Sequence, residues 1–358
     1  GKTVYVAGKG DYRPKGDFEE KVKNCLNEVK KTLQVGGLDM RHVVQSWVYL
    51  EDTAKFDEFN KVYGEVFKDD PPVRTTIGVV RVPGESHLEI TCVAYSDLAE
   101  RKRIGDVPPG LPFSPAILAG DTLYVSGKGD QLPGGGHPPT FSEQVRQAMR
   151  NVEATLKLAG LDFRHVVMSY VFLDKHENLA AAEKVYKEFF ETGNEPACAT
   201  VYTDWIPGGS HVEVTVTATT DLAKRKVVRP AGMSKGRIEG GVTGNAAVWA
   251  GNTLYLSGLP GFNFKDGVLA KGLVDQVHQM GRNHREILEA AGLKLDDIVS
   301  GHVYLSDIQD YNALNKEYTP YYSKGPGVRT CLMPFSGQVN NDNRVSASFI
   351  AARTRKVE

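Results

Sequence analysis

One pattern recurs three times along this chain of 358 residues, and it limits the possible folds more than anything else in the sequence. Gly1–Val6 reads GKTVYV, Gly120–Val125 reads GDTLYV and Gly251–Leu256 reads GNTLYL. Each is followed by a small residue and a glycine: Ala7-Gly8, Ser126-Gly127 and Ser257-Gly258. Downstream, Gly37-Leu38-Asp39 returns as Gly160-Leu161-Asp162 and Gly292-Leu293-Lys294. Val43–Leu50 (VVQSWVYL) returns as Val166–Leu173 (VVMSYVFL) and Ile298–Leu305 (IVSGHVYL). The period far exceeds that of solenoid repeats, so each unit can own a hydrophobic core. Three similar domains are expected, over residues 1–100, 107–226 and 237–356.

Within a unit the opening motif alternates and is rich in Val and Tyr, which predicts a strand. In the first copy Phe18, Val22, Cys25, Leu26, Val29 and Leu33 are spaced by three or four and predict a helix with one buried stripe. Gly36-Gly37 ends it. Val43–Leu50 predicts a second strand. Phe56, Phe59, Val62, Tyr63, Val66 and Phe67 mark a second helix, which Pro71-Pro72 stops. Two more strands close the unit. In the last, Leu88, Ile90, Cys92 and Ala94 fall on one face and His87, Glu89 and Thr91 on the other. The apolar face should carry the helices, and the semi-polar face should pack on another sheet. Three such units predict three sheets around a pseudo-threefold axis. Charged connectors are expected near Ala99–Pro109 and Ala223–Arg237, the second holding Lys224, Arg225, Lys226 and Arg229.

A net charge of −1 gives no field that would recruit nucleic acid or an anionic membrane. No apolar run approaches a membrane span. The four cysteines form no CxxC pair, and Cys25 and Cys92 sit in hydrophobic patterns as small core residues. A reducing compartment, the cytoplasm, is expected. Copy one begins on the glycine that residues precede in the other copies, which leaves a removed leader open. His42 and His165 recur before a strand and His87 and His211 before a Glu, with no zinc-ligand spacing, so neither metal nor organic cofactor is expected.

These residues resemble the Rid/YjgF family of reactive-intermediate (imine) deaminases, also called L-PSP endoribonucleases. The resemblance lies in Val125-Ser126-Gly127 and Leu256-Ser257-Gly258, in Pro72-Val73-Arg74-Thr75, in Glu89 fifteen residues beyond Arg74, and in Arg329-Thr330-Cys331. It implies an α+β fold of three tandem chorismate-mutase-like units. Each would be a mixed sheet with two helices on one face, and together they would form a covalent pseudo-trimer with clefts between units. In the family the Arg holds the carboxylate of a 2-imino or 2-enamino acid and the Glu positions or activates water. The partner is thus a small carboxylate-bearing metabolite. A guanidinium forks onto a carboxylate with two parallel hydrogen bonds, and a carboxylate near water accepts its proton. Gly8, Ser126, Gly127, Ser257 and Gly258 would let backbone approach the ligand. Thr76 and Cys331, two residues beyond each Arg, would line the site beside Arg329.

The copies differ at these positions. Copy one has Arg74 and Glu89. Copy two has Glu213, but Cys198 replaces the Arg. Copy three has Arg329, but Arg344 stands fifteen residues on, an alignment that Val345, Ala347 and Phe349 support. Only copy one keeps both groups, so the cleft holding Arg74 and Glu89 is expected to be the principal site. Family clefts mix residues from two neighbours, however. The family's tyrosine before the first strand is Phe113 in copy two. Lys9 and Lys128 follow the glycine, whereas copy three has Leu259. They read as solvated loop lysines, as cations drawing a second acidic group, or as Schiff-base lysines. Two further readings are a non-catalytic carboxylate-binding protein and a ribonuclease. The first is favoured by the Arg lost in copy two and the Glu lost in copy three. The second lacks a basic aromatic stripe.

Overall fold

The computed structural model describes the chain except residues 12, 14–15, 232, 234–243, 265, 338–341 and 354–358. The end of the second connector and the outer edges of the third unit lie outside the described residues. In the first unit, β1 (Thr3–Lys9), α1 (Phe18–Val35), β2 (Val43–Leu50), α2 (Phe56–Val66), β3 (Val73–Gly78) and β4 (Leu88–Tyr95) form a sheet in the order β1-β4-β2-β3. Strands β2 and β3 run parallel, as a helical crossover between them requires.

The second unit adds two edge strands. It contains β5 (Arg101–Ile104), β6 (Ala116–Ala119), β7 (Thr122–Val125), β8 (Lys128–Gly129), α3 (Phe141–Leu158), β9 (Val166–Leu173), α4 (Leu179–Lys187), β10 (Ala197–Tyr202) and β11 (Val212–Thr219). Its order is β10-β9-β11-β7-β6-β5, with β8 paired to β11. The third contains β12 (Arg225–Val228), β13 (Ala247–Ala250), β14 (Thr253–Pro260), α5 (Gly272–Ala290), β15 (Ile298–Leu305), α6 (Tyr311–Tyr318), β16 (Val328–Leu332) and β17 (Val345–Ala352), ordered β12-β13-β14-β17-β15-β16.

The connectors correct the sequence reading. Both contain strands, β5 and β12, that begin the next sheet. Arg101, whose side chain is only 3% exposed, donates to the Val43 carbonyl and pairs with Asp70. Arg225 makes the matching bond to the Val166 carbonyl, at 3.0 Å. Each arginine thus ties the start of a new unit to the previous one. A run of basic residues looks solvated in sequence because nothing local announces the carbonyls it will meet.

Helix ends follow local chemistry. Asp17 caps α1 and Thr140 caps α3. Gly37, Gly160 and Gly292 follow their helices with φ of 72°, 72° and 75°, a conformation that favours glycine. The helices cover one face of each sheet and build three separate cores around Val22 and Phe59, Val145 and Val185, and Val277 and Leu314. The other faces meet in a shared core. Trp47, Tyr170 and His302 occupy the same position in β2, β9 and β15 and meet there, with ring centroids 4.7, 5.0 and 5.5 Å apart. The three sheets therefore surround a pseudo-threefold axis with the helices outside, as the repeats predict. Burial at this axis pushes the His302 imidazole down to about 4, which keeps it neutral. No helix among the described residues is long and apolar enough to cross a membrane.

Candidate functional site

Each sheet's outer strand, β3, β10 or β16, lies beside the opening strand of the next unit, so three clefts form between units. The cleft between units one and two is built on a backbone splice. The Arg74 N–H donates to Ser126 Oγ at 2.9 Å, and the Gly127 N–H donates to the Arg74 carbonyl at 3.1 Å. Ser126 in turn donates to the Ser114 carbonyl. The Arg74 guanidinium lies against Phe56, Phe59 and Tyr63 of its own unit and Phe113 of the next, 5.0–5.6 Å from the ring centroids. Such rings attract a cation without occupying its hydrogen-bond donors. Nη1 of Arg74 is buried with no hydrogen-bond partner among the described residues. So is the hydroxyl of Thr76. A buried, unpaired donor on a cation is costly unless a ligand completes it.

The carboxylate that faces Arg74 is Glu213 of unit two. Burial pushes its carboxyl up to about 8, against the opposing charges of Arg74 and Lys128. Arg74 is pushed down to about 10 by the same burial, which Tyr63 and Glu213 oppose. Oε1 of Glu213 is also unpartnered. Glycine at 127 is a steric requirement, because a Cβ there would strike the Glu213 carboxylate. Gly127→Ala should displace that carboxylate and would cut any turnover that depends on it by about 10²-fold, as ångström-scale misplacement of a reacting group does. Kinetics in a chain whose other arginine, Arg329, is replaced by Ala would isolate the effect.

The cleft between units three and one repeats the arrangement. Arg329 lies over Tyr318 and Tyr311, 4.9 and 5.8 Å from their centroids, and donates to Asn315. It faces Glu89 of unit one. Burial pushes Glu89 up to about 7, opposed by the Thr330 hydroxyl and the charges of Arg329 and Lys9. A Cβ on Gly8 would strike Glu89, as one on Gly127 would strike Glu213. Cys331 borders this cleft as a neutral thiol, pushed up to about 12 by burial. Thr330 bonds Thr91 across the interface, and the matching Thr75–Thr215 bond spans the first cleft at 2.7 Å.

The cleft between units two and three has neither charge. Cys198 occupies the arginine position and its N–H donates to Ser257 Oγ at 2.8 Å. Burial pushes its thiol up to about 11. Gly258 packs against Ala199, which stands where Thr75 and Thr330 bond their neighbours. The opposing position is Ser346, which corrects the sequence alignment. Tyr49 pairs with Glu89, Phe172 with Glu213 and Tyr304 with Ser346. The segment before β17 is two residues longer than its counterparts, so fifteen-residue spacing lands on Arg344 instead. Period-two alternation could not reveal this, because a shift of two keeps every side chain on its face. Arg344 occupies the place of His87 and His211 and pairs with Asp310 at 3.0 Å. The two histidines lie outside the clefts, half exposed, on Glu51 and Asp174.

Arg74 and Glu89, expected to share a cleft, therefore belong to different ones. The losses in copies two and three fall together in a single cleft and leave two complete pairs, Arg74–Glu213 and Arg329–Glu89. The aromatic boxes went unrecognised, since Phe56, Phe59 and Tyr63 have the spacing of an ordinary core stripe. Groups of His, Cys, Asp and Glu that could hold a metal are absent among the described residues.

The endoribonuclease L-PSP family model matches the chain three times, over residues 1–96, 105–220 and 243–354. The chain belongs to this family. A RutC family protein of Sulfurisphaera tokodaii is 34% identical over 99 residues, covering 26% of this chain and 79% of that protein. The 2-iminobutanoate/2-iminopropanoate deaminase of Rattus norvegicus is 36% identical over 104 residues, covering 28% of this chain and 75% of its own length. The crystal structure of a chorismatase superposes on 98% of this chain and 99% of its own, with a TM-score of 0.61 and 11% identity. That likeness shows a shared fold over the whole three-unit arrangement.

Raised carboxyls also give a stability signature for this family member. Glu213 shifts from the usual 4.5 to about 8, so the folded chain holds a proton that the unfolded chain releases. Its contribution is fully present below the unfolded value and is lost as pH rises through about 8. Glu213→Gln, neutral at every pH, should raise the melting temperature at pH 9 relative to the unaltered chain, with a smaller difference at pH 5. Thermal unfolding at the two pH values checks this.

Proposed function

We propose that the chain hydrolyses 2-imino or 2-enamino acids to 2-keto acids and ammonia, in the two clefts that pair Arg74 with Glu213 and Arg329 with Glu89. The observation that carries this reading is the juxtaposition, across a unit boundary, of a guanidinium (at Arg74 buried with an unpartnered Nη1, at Arg329 half-buried) with a buried carboxylate. The kinship with 2-iminobutanoate/2-iminopropanoate deaminases supports it. The arginine grips the substrate carboxylate in a bidentate fork and fixes the adjacent imine carbon. The glutamate accepts a proton from water as its oxygen bonds that carbon. The proton then passes to the nitrogen, which leaves as ammonia when the carbonyl forms. The aromatic box and Trp205, whose ring lies 5.2 Å from Phe56, limit water at the first cleft.

Non-catalytic carboxylate binding was favoured by the losses in copies two and three. Both losses fall in one cleft, so this ground disappears for the other two. The test is the release of ammonia and keto acid from 2-iminobutanoate generated in situ by an amino-acid oxidase. Acceleration over the uncatalysed rate, abolished when both arginines are replaced, supports deamination. Saturable binding of keto acid without acceleration would leave only the binding reading.

A further inference from the structure

The two clefts that hold an Arg–Glu pair have different mouths. Four residues beyond Arg74 stands Gly78, and four beyond Arg329 stands Met333. Eight residues before Glu213 stands Trp205, and eight before Glu89 stands Arg81. The structure joins these positions in the same way across each unit boundary. The Gly78 N–H donates to the Trp205 carbonyl at 2.9 Å, and the Met333 N–H donates to the Arg81 carbonyl at 2.9 Å. Trp205 and Arg81 are therefore equivalent, each on the segment that leads into the strand bearing its cleft's glutamate.

Their surroundings differ. The indole of Trp205 packs edge-on against Phe56, one wall of the Arg74 box, with ring centroids 5.2 Å apart. Tyr311 is the counterpart of Phe56, since each stands eighteen residues before its cleft's arginine. At that end of the Arg329–Glu89 cleft Arg81 pairs with Glu51 at 3.0 Å, and a cavity of about 480 Å³ lies between units one and three. Its walls include Arg81, Val82 and Pro83 of unit one and Ile308 and Tyr311 of unit three. Tyr311 belongs to both sites, because the Arg329 guanidinium lies 5.8 Å from its ring centroid. One cleft is thus closed by an aromatic ring at the place where the other opens into a largely apolar space of ligand size. We propose that this cavity takes the substrate side chain, so that the Arg329–Glu89 cleft accepts 2-imino acids with bulky apolar side chains, while Trp205 confines the Arg74–Glu213 cleft to small ones. The reaction named rests on the deaminase reading; the difference in size between the clefts does not.

The test uses chains with a single working cleft. Arg329→Ala leaves the Arg74 cleft, and Arg74→Ala leaves the Arg329 cleft. In each, 2-imino-4-methylpentanoate is compared with 2-iminobutanoate for kcat/KM, and 4-methyl-2-oxopentanoate with 2-oxobutanoate for affinity by calorimetry. The bulky-to-small ratio should be about tenfold or more higher in the Arg74→Ala chain by both readouts. Trp205→Ala added to the Arg329→Ala chain should raise its ratio, and Arg81→Trp added to the Arg74→Ala chain should lower its ratio. Reading a ratio cancels losses in folding or chemistry that touch both ligands alike, and either mouth variant serves if the other does not fold. Equal ratios in the two single-cleft chains, or ratios that the folded mouth variants leave unmoved, would overturn the proposal. If the affinity ratios separate as expected but no ammonia is released, deamination fails and the size difference stands. If ammonia is released with one ratio from both chains, deamination stands and the size difference fails.

Discussion

Arg74→Ala combined with Glu89→Gln should nearly abolish turnover, whereas Arg74→Ala combined with Glu213→Gln should leave the chain about as active as either single variant. The first pair disables both working clefts and the second disables one cleft twice. Loss of a proton acceptor costs about 10²–10⁴ in rate, and loss of a charged clamp on a carboxylate costs about 2–5 kcal/mol of binding. Residues that act as a unit are non-additive, so the second change within a crippled cleft adds little. Steady-state ammonia release from the three single and two double variants, each checked for folding, gives the comparison. If Arg74→Ala/Glu89→Gln retained as much activity as its parents, the pairing across units would be wrong.

A rising pH profile is the second large effect. The glutamate must be ionised to accept a proton, and below its pKa the ionised fraction falls tenfold per unit. With Glu89 near 7 and Glu213 near 8, kcat/KM should climb by about fiftyfold between pH 5 and 7. The two clefts should also separate. Arg329→Ala leaves the Glu213 cleft at work, and Arg74→Ala leaves the Glu89 cleft. The midpoint should lie about one unit higher in the first variant. Both variants see the same substrate, so its own ionisation cancels in the difference. A profile that falls from pH 5 to 8, or midpoints in reversed order, would contradict the assignment.

The architecture was legible because the sequence states it three times. Alternation in Leu88–Tyr95 and the helical stripe of Val22–Leu33 show which face takes the helices, and the repeats then imply a threefold assembly. The charged residues that line the candidate clefts, Arg74, Glu89, Glu213 and Arg329, could also be singled out from the sequence. Their pairing could not. Arg74 meets Glu213 rather than Glu89 because a cleft forms where one sheet's outer strand meets the next unit, a relation that spacing within a unit does not encode. Ser346 was hidden for a different reason, since a two-residue insertion preserves strand alternation. The strands within the connectors escaped notice because Arg101 and Arg225 find their carbonyl partners 58 and 59 residues away in sequence.

Seen in this light, the third cleft is a coherent set of replacements. Cys198, Ser346 and Ala199 stand where the other clefts place arginine, glutamate and threonine. Replacing only the arginine or only the glutamate would leave a buried charge unpaired, which is far costlier than removing both. The interface between units two and three holds instead by packing and by bonds such as that from Cys198 to Ser257 and that joining Tyr170 to Ser348, at 3.0 Å.

Counting ligand sites tests the central claim most directly. Calorimetric titration with 2-oxobutanoate should give two equivalents bound per chain, one in Arg74→Ala, one in Arg329→Ala and none in the double variant. Three equivalents, or a count that either arginine's removal leaves unchanged, would contradict the account of two working clefts, each built from two units.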